Sequence, residues 1–582
     1  MVIMKDVSFG NYIAKLRREK GMTQAQLALK LKISDKAVSR WENGLSKPRG
    51  NYILRLAAAL GTSADKILSG GKNGEAVISD ISSNGTDKEL PKFSHINLIP
   101  KKAEPNGNYL CTWWLQLKTA ERLGLSGNIT VCQRDCMTAE LLFDDESYYH
   151  VFKQEHRSGL YFLLDDGWDV PYGTDSKTSG IIFGSMQPDK EKFSAFGKTT
   201  VEILSGLVNK VKEIGYAGLG LWVSAQRANR EIGTTEDAKA ARDYWVERAK
   251  QSSEAGVSYW KVDWGAAQNN FEYRKMMTEC VKEYAPGLII EHAAPQGPYT
   301  GAESPTDEIA KRMRDFITIS DAFRTYDVKK PFEDSATVCR IYSMLTGFDK
   351  SSIDSNVQGI INGESQPLVA VGLGCSLGIM RYTKETEAAL RWQRLAPPFS
   401  VKDTDFVYST EMITDNIFFS NAPSWWLTQF TGKDCSISTP AVCARGTKLP
   451  KFKTNGVTPR IAACSHPITH NYCVASMKRC IDPNREMIAY ADVTIYPDSI
   501  GSAIGIFGYF KSITIEFPTD ISPKSSVYAQ CLLCDSASDI TKEVKIVKNK
   551  MTIPGKVLRL NGNVSSDSGI TYDPCLVVKL IG

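Results

Sequence analysis

The sequence predicts a multidomain chain: an all-α helix-turn-helix bundle, then a (β/α)8 TIM barrel, then a C-terminal antiparallel β-sandwich. Three observations lead there. Helical spacing of apolar residues and an excess of positive charge coincide in the first seventy residues. From about residue 96 to 400, short apolar runs alternate with helical patterns. Beyond residue 400 the helical period fades, and strand-like runs follow one another between Gly, Asn, Asp and Pro turns. At 582 residues the chain is too long for one core. Its 42% hydrophobic and 23% charged residues are ordinary for a globular protein.

The net charge of +5 is unevenly placed. Residues 1–70 hold 13 Lys and Arg against 5 Asp and Glu, so the remainder is slightly acidic. A basic module on a near-neutral body points to a nucleic-acid partner for the module. Within residues 1–69, Phe9, Ile13 and Leu16 mark a first helix ended by Gly21, and Thr23 caps a second over 24–31. Ile33-Ser34 turns into a third over 35–43, with Val38 and Trp41 inward; Leu54, Leu56, Ala57 and Leu60 mark a fourth. Two short helices across a tight turn are the helix-turn-helix arrangement.

The run Met22-Thr23-Gln24-Ala25-Gln26-Leu27-Ala28, followed by Ile33-Ser34-Asp35-Lys36-Ala37-Val38-Ser39-Arg40-Trp41-Glu42-Asn43-Gly44, resembles the Cro/lambda-repressor-type DNA-binding domain. The resemblance implies that Gln24, Lys36, Ser39 and Arg40 meet bases or phosphates and that Lys47 and Arg49 meet the backbone. It also implies a double-stranded operator of two half-sites and a homodimer to read it. Residues 70–95, with Gly70-Gly71-Lys72-Asn73-Gly74 and Ser82-Ser83-Asn84-Gly85, read as a flexible linker.

Residues 96–400 carry the βα pattern. Strand-like runs are expected at 109–111, 160–164, 218–223, 256–260, 288–290 and 316–319, with later runs near 357–361 and 375–380 as the seventh and eighth. Helices fill the gaps at 200–213, 235–255 and 274–284. No glycine-rich phosphate turn follows Cys111, so a dinucleotide-binding sheet is not indicated. The runs end in Trp113, Asp165, Asp166, Trp168, Trp222, Lys261, Asp263, Glu291, Asp321, Arg324 and Asp327. Functional side chains at strand ends are what a barrel with its site at the C-terminal rim presents. Lys261 and Asp263, two apart, share a face. Carboxylates accept bonds from hydroxyls and indoles pack on the apolar side of a pyranose, so this is the composition of a sugar site. An ammonium in its midst opposes a divalent ion; no metal and no cofactor are expected.

The order of these motifs over 107–330 resembles the α-galactosidase (melibiase) group of retaining glycoside hydrolases. The resemblance implies that Asp263 is the nucleophile and that Asp165, Asp166 and Lys261 bind hydroxyls beside Trp113 and Trp222. It places Glu291 near the 2-position, with Arg324 orienting that side of the sugar and Asp327 as acid/base. In the family the acid/base follows the Arg by four residues; here Asp327 follows Arg324 by three, which leaves Asp321 as a rival. The expected ligand is an α-galactoside or a related sugar. The alternative is a sugar-sensing transcriptional regulator with a weakly active or inactive barrel.

In residues 401–582, strands are expected over 473–477, 487–495, 504–517, 527–533, 544–560 and 576–581. The segment from Cys464 through His466 and His470 to Cys473 has the residue types of a zinc site but no standard ligand spacing. Cys531 and Cys534, on a strand, would point to opposite faces as buried structural residues. No run is long enough to cross a bilayer, and no secretory signal precedes the first helix. The expected setting is the cytoplasm, with the 14 cysteines reduced.

Overall fold

The computed structural model describes residues 7–31, 33–46, 56, 59, 60, 62, 96–143, 148–229, 237–293, 307–325, 333–353, 359–418, 434–482, 485–562 and 573–582. Two compact units divide the chain, one within Met1–Leu90 and one beginning at Pro91. Among the described residues no helix is long and apolar enough to cross a membrane.

In the first unit, α1 (Val7–Glu19), α2 (Gln24–Leu31) and α3 (Asp35–Glu42) surround Phe9, Ile13, Leu27, Leu31, Val38 and Trp41. Leu56, Ala59 and Leu60 join that core; most of the expected fourth helix lies outside the described residues. The start of α2 is fixed reciprocally. Thr23 Oγ1 accepts from the Gln26 amide at 3.1 Å, and Gln26 Oε1 accepts from the Thr23 amide at 2.8 Å. Buried Arg17 reaches Glu42 with Nε at 2.6 Å and a terminal nitrogen at 2.8 Å, locking α1 against α3.

The second unit opens with eight parallel strands: β1 (Tyr109–Cys111), β2 (Tyr161–Leu164), β3 (Gly218–Val223), β4 (Tyr259–Val262), β5 (Ile289–Ala293), β6 (Ala322–Arg324), β7 (Ile360–Asn362) and β8 (Gly378–Ile379). Each of β1 to β7 pairs with its sequence neighbour, and β1 also pairs with β8. A parallel bridge between Asn362 and Ser376 spans the remaining gap. The period of two sorts the side chains. Tyr109, Leu163, Tyr259 and Ala322 point into the barrel, while Leu110, Phe162, Trp260 and Ile290 pack against the helices outside. Bulk inside one strand demands its absence on the next: a Cβ at Gly378 would lie 2.4 Å from the Tyr109 hydroxyl.

One strand is not where the sequence put it. The apolar run 316–319 belongs to the end of the helix Asp307–Thr318, and β6 is the three residues after Asp321. Phe316 and Ile317 are buried on the inner face of that helix, where a 3.6-residue stripe looks like a strand over four positions.

Behind the barrel lies a mixed eight-stranded sheet and beyond it a five-stranded one. Between residues 442 and 516 the chain passes from one sheet to the other and back. Val442–Arg445 belongs to the first, Lys451–Lys453 to the second, and Arg460–Ser465 to the first again. A strand that returns after such an excursion runs in its original direction. The sandwich therefore contains parallel pairs, such as Val442 beside Ile461 and Tyr472 beside Ile504, which a purely antiparallel expectation lacks. The expected run 504–517 is two strands, one in each sheet, and 544–560 ends in the helix Gly555–Gly562. The first sheet is buried on both faces: Ala462, Cys464, Cys473 and Ala475 pack toward the barrel, and Ile461, Ala463 and Val474 toward the second sheet. A Cβ at Gly505 would fall 2.9 Å from the Trp392 ring of the barrel helix Lys384–Trp392. Gly505→Val is expected to lower the stability of this unit by roughly 1–3 kcal/mol, read as a lower melting temperature; an unchanged midpoint would mean the helix is not seated there.

Candidate functional site

The end of β4 sets the centre of the site. Tyr259, Lys261 and Asp263 face inward, and Asp263 stands just past the strand with its carboxylate partly open. Arg324, at the end of β6, places a terminal nitrogen 3.0 Å from Asp263 Oδ1, and Trp222, from β3, donates its indole N–H to Oδ2 at 3.1 Å. Burial alone would raise this carboxyl. Arg324, Lys261 and the indole outweigh it and hold Asp263 below the ordinary carboxylate range. Arg274, on the helix Phe271–Tyr284, fixes the backbone from behind, donating to the carbonyls of Val262 at 3.2 Å and Asp263 at 2.7 Å.

Asp165, at the end of β2, accepts from Lys261 Nζ at 2.7 Å and from the Cys111 thiol at 2.9 Å. Asp166 is gripped by Arg134 through two bonds of 2.9 Å. Burial outweighs that grip and raises Asp166 to about 6. The structure thus brings Asp165, Asp166, Lys261, Asp263, Trp222 and Arg324 to one mouth in two bonded groups, Asp165 with Lys261 and the Asp166 amide, and Asp263 with Arg324 and Trp222. Trp222, however, is buried behind Asp263, and its ring faces Phe183 and Trp264. Among the described residues the partly exposed indoles are Trp113, Trp114 and Trp264, and Trp264 was not among the sequence candidates.

Glu291 is also deeper than a hydroxyl-binding residue would be. Its carboxylate is fully buried and accepts from Tyr109 at 3.1 Å, Tyr259 at 2.7 Å and Asn362 at 2.7 Å, with Arg324 Nε at 3.4 Å. Glu364, which the sequence reading passed over, lies with Oε1 3.0 Å from the same Nε. Its φ of 48° turns the chain after β7 inward, and its amide donates to Asn362 Oδ1 at 2.7 Å. A residue following a three-residue strand gives no periodic signal.

Asp321 is corrected by the shift of β6. It precedes the strand, and its carboxylate accepts from Lys282 at 2.5 Å and from the Ile290 amide at 3.0 Å. Arg324 is paired three residues further on, beside Ala293. Three residues of strand are roughly 10 Å, so Asp321 stands at the opposite end of the barrel from Asp263. Asp327 lies outside the described residues.

Among the described residues, one cluster has metal-type donors: Glu155, His156 and Glu387. Arg394 donates to His156 Nδ1 at 2.9 Å, which leaves the ring proton on Nε2, facing Glu155 at 3.3 Å and Glu387 at 3.5 Å. With its lone pair taken by a guanidinium, this is an ion-pair junction. In the segment with zinc-type residues, His466 Nδ1 accepts from the amides of Ile468 and Thr469, and exposed His470 pairs with Asp498 at 2.9 Å.

In the first unit, Lys36 and Arg40 are exposed on α3, and Ser39 is half-buried between them. Gln24 donates its side-chain amide to Glu42 at 2.8 Å, which holds the start of α2 to the end of α3. Lys47 and Arg49 lie outside the described residues.

Residues 13–67 match the helix-turn-helix family HTH_3. The P22 c2 repressor, solved with a synthetic operator, is 34% identical over 11% of this chain and 94% of its own, with a TM-score of 0.11. The controller protein C.AhdI of Aeromonas hydrophila is 31% identical over 10% of this chain and 92% of its own, at 0.10. The GH27 β-L-arabinopyranosidase Abp of Geobacillus stearothermophilus is 8% identical over 83% of this chain and 96% of its own, at 0.33. No curated protein matches the chain.

Lys261→Met would leave the buried Asp165 carboxylate without its cation. The expected loss is roughly 3–5 kcal/mol of unfolding free energy, measured by urea denaturation; a loss under about 1 kcal/mol would mean the pair is solvated.

Proposed function

We propose that the large unit is a retaining glycoside hydrolase acting on an α-galactoside or a related sugar, and that the first unit binds a double-stranded DNA operator as a homodimer. The observation that carries the hydrolase reading is Asp263: an ionised carboxylate at the C-terminal end of a barrel strand, aimed by Arg324 and Trp222. Such a group is a nucleophile for an anomeric carbon. Asp165 and Lys261 beside it offer an acceptor and a donor to sugar hydroxyls, and the partly exposed Trp113 and Trp264 offer apolar faces. Arg324 orients both Asp263 and the buried Glu291.

The reaction runs by double displacement. Asp263 attacks the anomeric carbon while an acid protonates the departing oxygen, and the same residue then takes a proton from the water that releases the sugar. With Asp321 at the far end of β6 and Asp166 engaged by Arg134, the acid/base role falls to Asp327, three residues beyond Arg324.

The test uses nitrophenyl α-galactoside, α-N-acetylgalactosaminide and β-L-arabinopyranoside. The wild-type chain is expected to hydrolyse at least one with retention at the anomeric carbon, seen by proton NMR. Asp263→Asn should lower kcat on the order of 10³-fold or more. Undiminished turnover in that variant, or an inverted first product, would overturn the assignment. Binding of galactose without turnover would leave the sensing reading in its place.

For the first unit, exposed Arg40 on α3 is expected to reach a base edge or phosphate. Arg40→Ala should weaken binding to an operator selected from random duplexes by roughly 1–3 kcal/mol, measured by fluorescence anisotropy at fixed salt. Equal affinity would remove α3 from the interface.

A further inference from the structure

We infer that Cys531 and Cys534 form a reversible disulfide site, closed and opened by exchange with a low-molecular-weight disulfide such as glutathione disulfide. The strand Ser526–Cys531 ends at the first cysteine, and the chain turns at once: the Cys534 amide donates to the Cys531 carbonyl at 3.0 Å. A turn of that kind brings its first and fourth Cα atoms within about 7 Å, and disulfides span roughly 4.4–6.8 Å between Cα atoms. The opposite-face expectation holds only along a strand, and Cys534 is past its end. The Cys531 and Cys575 thiols both donate to the Gly562 carbonyl, at 3.7 and 4.0 Å, and Cys531 lies close enough to Cys534 and Cys575 for each thiol to shift its titration.

Access singles out the pair. Cys464 and Cys473 also face each other across neighbouring strands, but both are buried. Among the described cysteines, Cys534 is the one that is exposed. Its thiolate attacks one sulfur of glutathione disulfide and releases one glutathione thiolate. The Cys531 thiolate then attacks the Cys534 sulfur and releases the second. One protein S–S bond forms, the glutathione S–S bond breaks, and two electrons pass from the protein pair to glutathione.

The turn also holds the start of the large unit. The Cys534 carbonyl accepts from Gln530 Nε2 at 2.8 Å and from Arg391 at 2.7 Å. Gln530 in turn binds Asn97 Oδ1 at 2.9 Å and accepts from the Leu98 amide at 2.6 Å, while the Ala537 amide donates to Ile96 at 2.9 Å. Residues 96–98 follow directly on the stretch that joins the two units, so closing the ring stiffens the anchor of that stretch.

The neighbouring Cys531 and burial raise the attacking Cys534 thiol, and although Cys534 draws the Cys531 thiol down, Cys575 and burial outweigh it and push it up to about 12. Thiolate is therefore scarce at neutral pH, and closure should quicken about tenfold per pH unit from 7 to 9.

The full-length chain would be equilibrated in glutathione redox buffers, alkylated and mapped by mass spectrometry. A Cys531–Cys534 bond reversed by dithiothreitol is expected, with at least twofold slower amide exchange over residues 96–98. Cys531→Ser should instead hold a lasting glutathione adduct on Cys534, and Cys575→Ser should close as the wild type does. A lasting adduct on wild-type Cys534, a Cys531–Cys575 product, or no reaction at all would overturn the proposal.

Discussion

Arg324 is the group on which the candidate site depends. It is buried, and three carboxylates converge on its guanidinium: Asp263 at 3.0 Å, Glu364 at 3.0 Å and Glu291 at 3.4 Å. A buried carboxylate without a cation takes up a proton rather than remain charged. Asp263 remains ionised because this arginine lies beside it. The geometry is as important as the charge. Nε is occupied by the two glutamates, so the terminal nitrogen is left pointing at Asp263. The planar fork of Arg permits this division, whereas a lysine would offer one point of charge.

What holds Arg324 is in turn held from the C-terminal sheets. Asn362 ends β7 and Glu364 follows it, and the helix Pro367–Leu373 begins three residues after Glu364. That helix is wedged onto the first sheet, where a Cβ at Gly372 would lie 2.8 Å from Ala462. Arg445 donates to the Leu373 carbonyl at 2.6 Å, satisfying and charge-matching the helix C-terminus. A second anchor sits at buried Asp415, which takes Arg460 at 2.6 Å and Arg479 at 2.5 Å and accepts from Ser335 at 2.7 Å. The β-sheets are thus the back wall of the barrel, and they fix the loops that aim the arginine.

Much of this was legible before any coordinates. Long periodic helices such as Thr200–Glu213 and six-residue strands such as β3 fall where the sequence places them, because burial repeats over enough residues to reveal its period. The mouth residues Asp165, Asp166, Lys261, Asp263 and Arg324 were readable because they follow apolar runs. Short strands defeated the reading. β6 is three residues long, and the helix before it ends in an apolar tetrad, so the strand was placed six residues early and Asp321 was carried to the wrong end. Glu364 and Arg274 gave no signal at all, since one stands on a turn and the other acts from a helix behind the sheet. The parallel pairs of the sandwich arise from the path between two sheets, which local propensity does not encode.

The charge balance at the mouth says what such a site favours. Asp165 is matched by Lys261 and Asp166 by Arg134, while Asp263, Glu291 and Glu364 share Arg324. Five carboxylates therefore face these three cations, with Arg274 behind Asp263 as a fourth. Burial pushes Glu291 up and brings Asp166 to about 6, while Asp263 is held below the ordinary carboxylate range. A neutral sugar gains little from that field. A sugar carrying positive charge at its anomeric carbon, as it does while the glycosidic bond breaks, gains a great deal. Interactions that strengthen only as charge develops are those that accelerate a reaction.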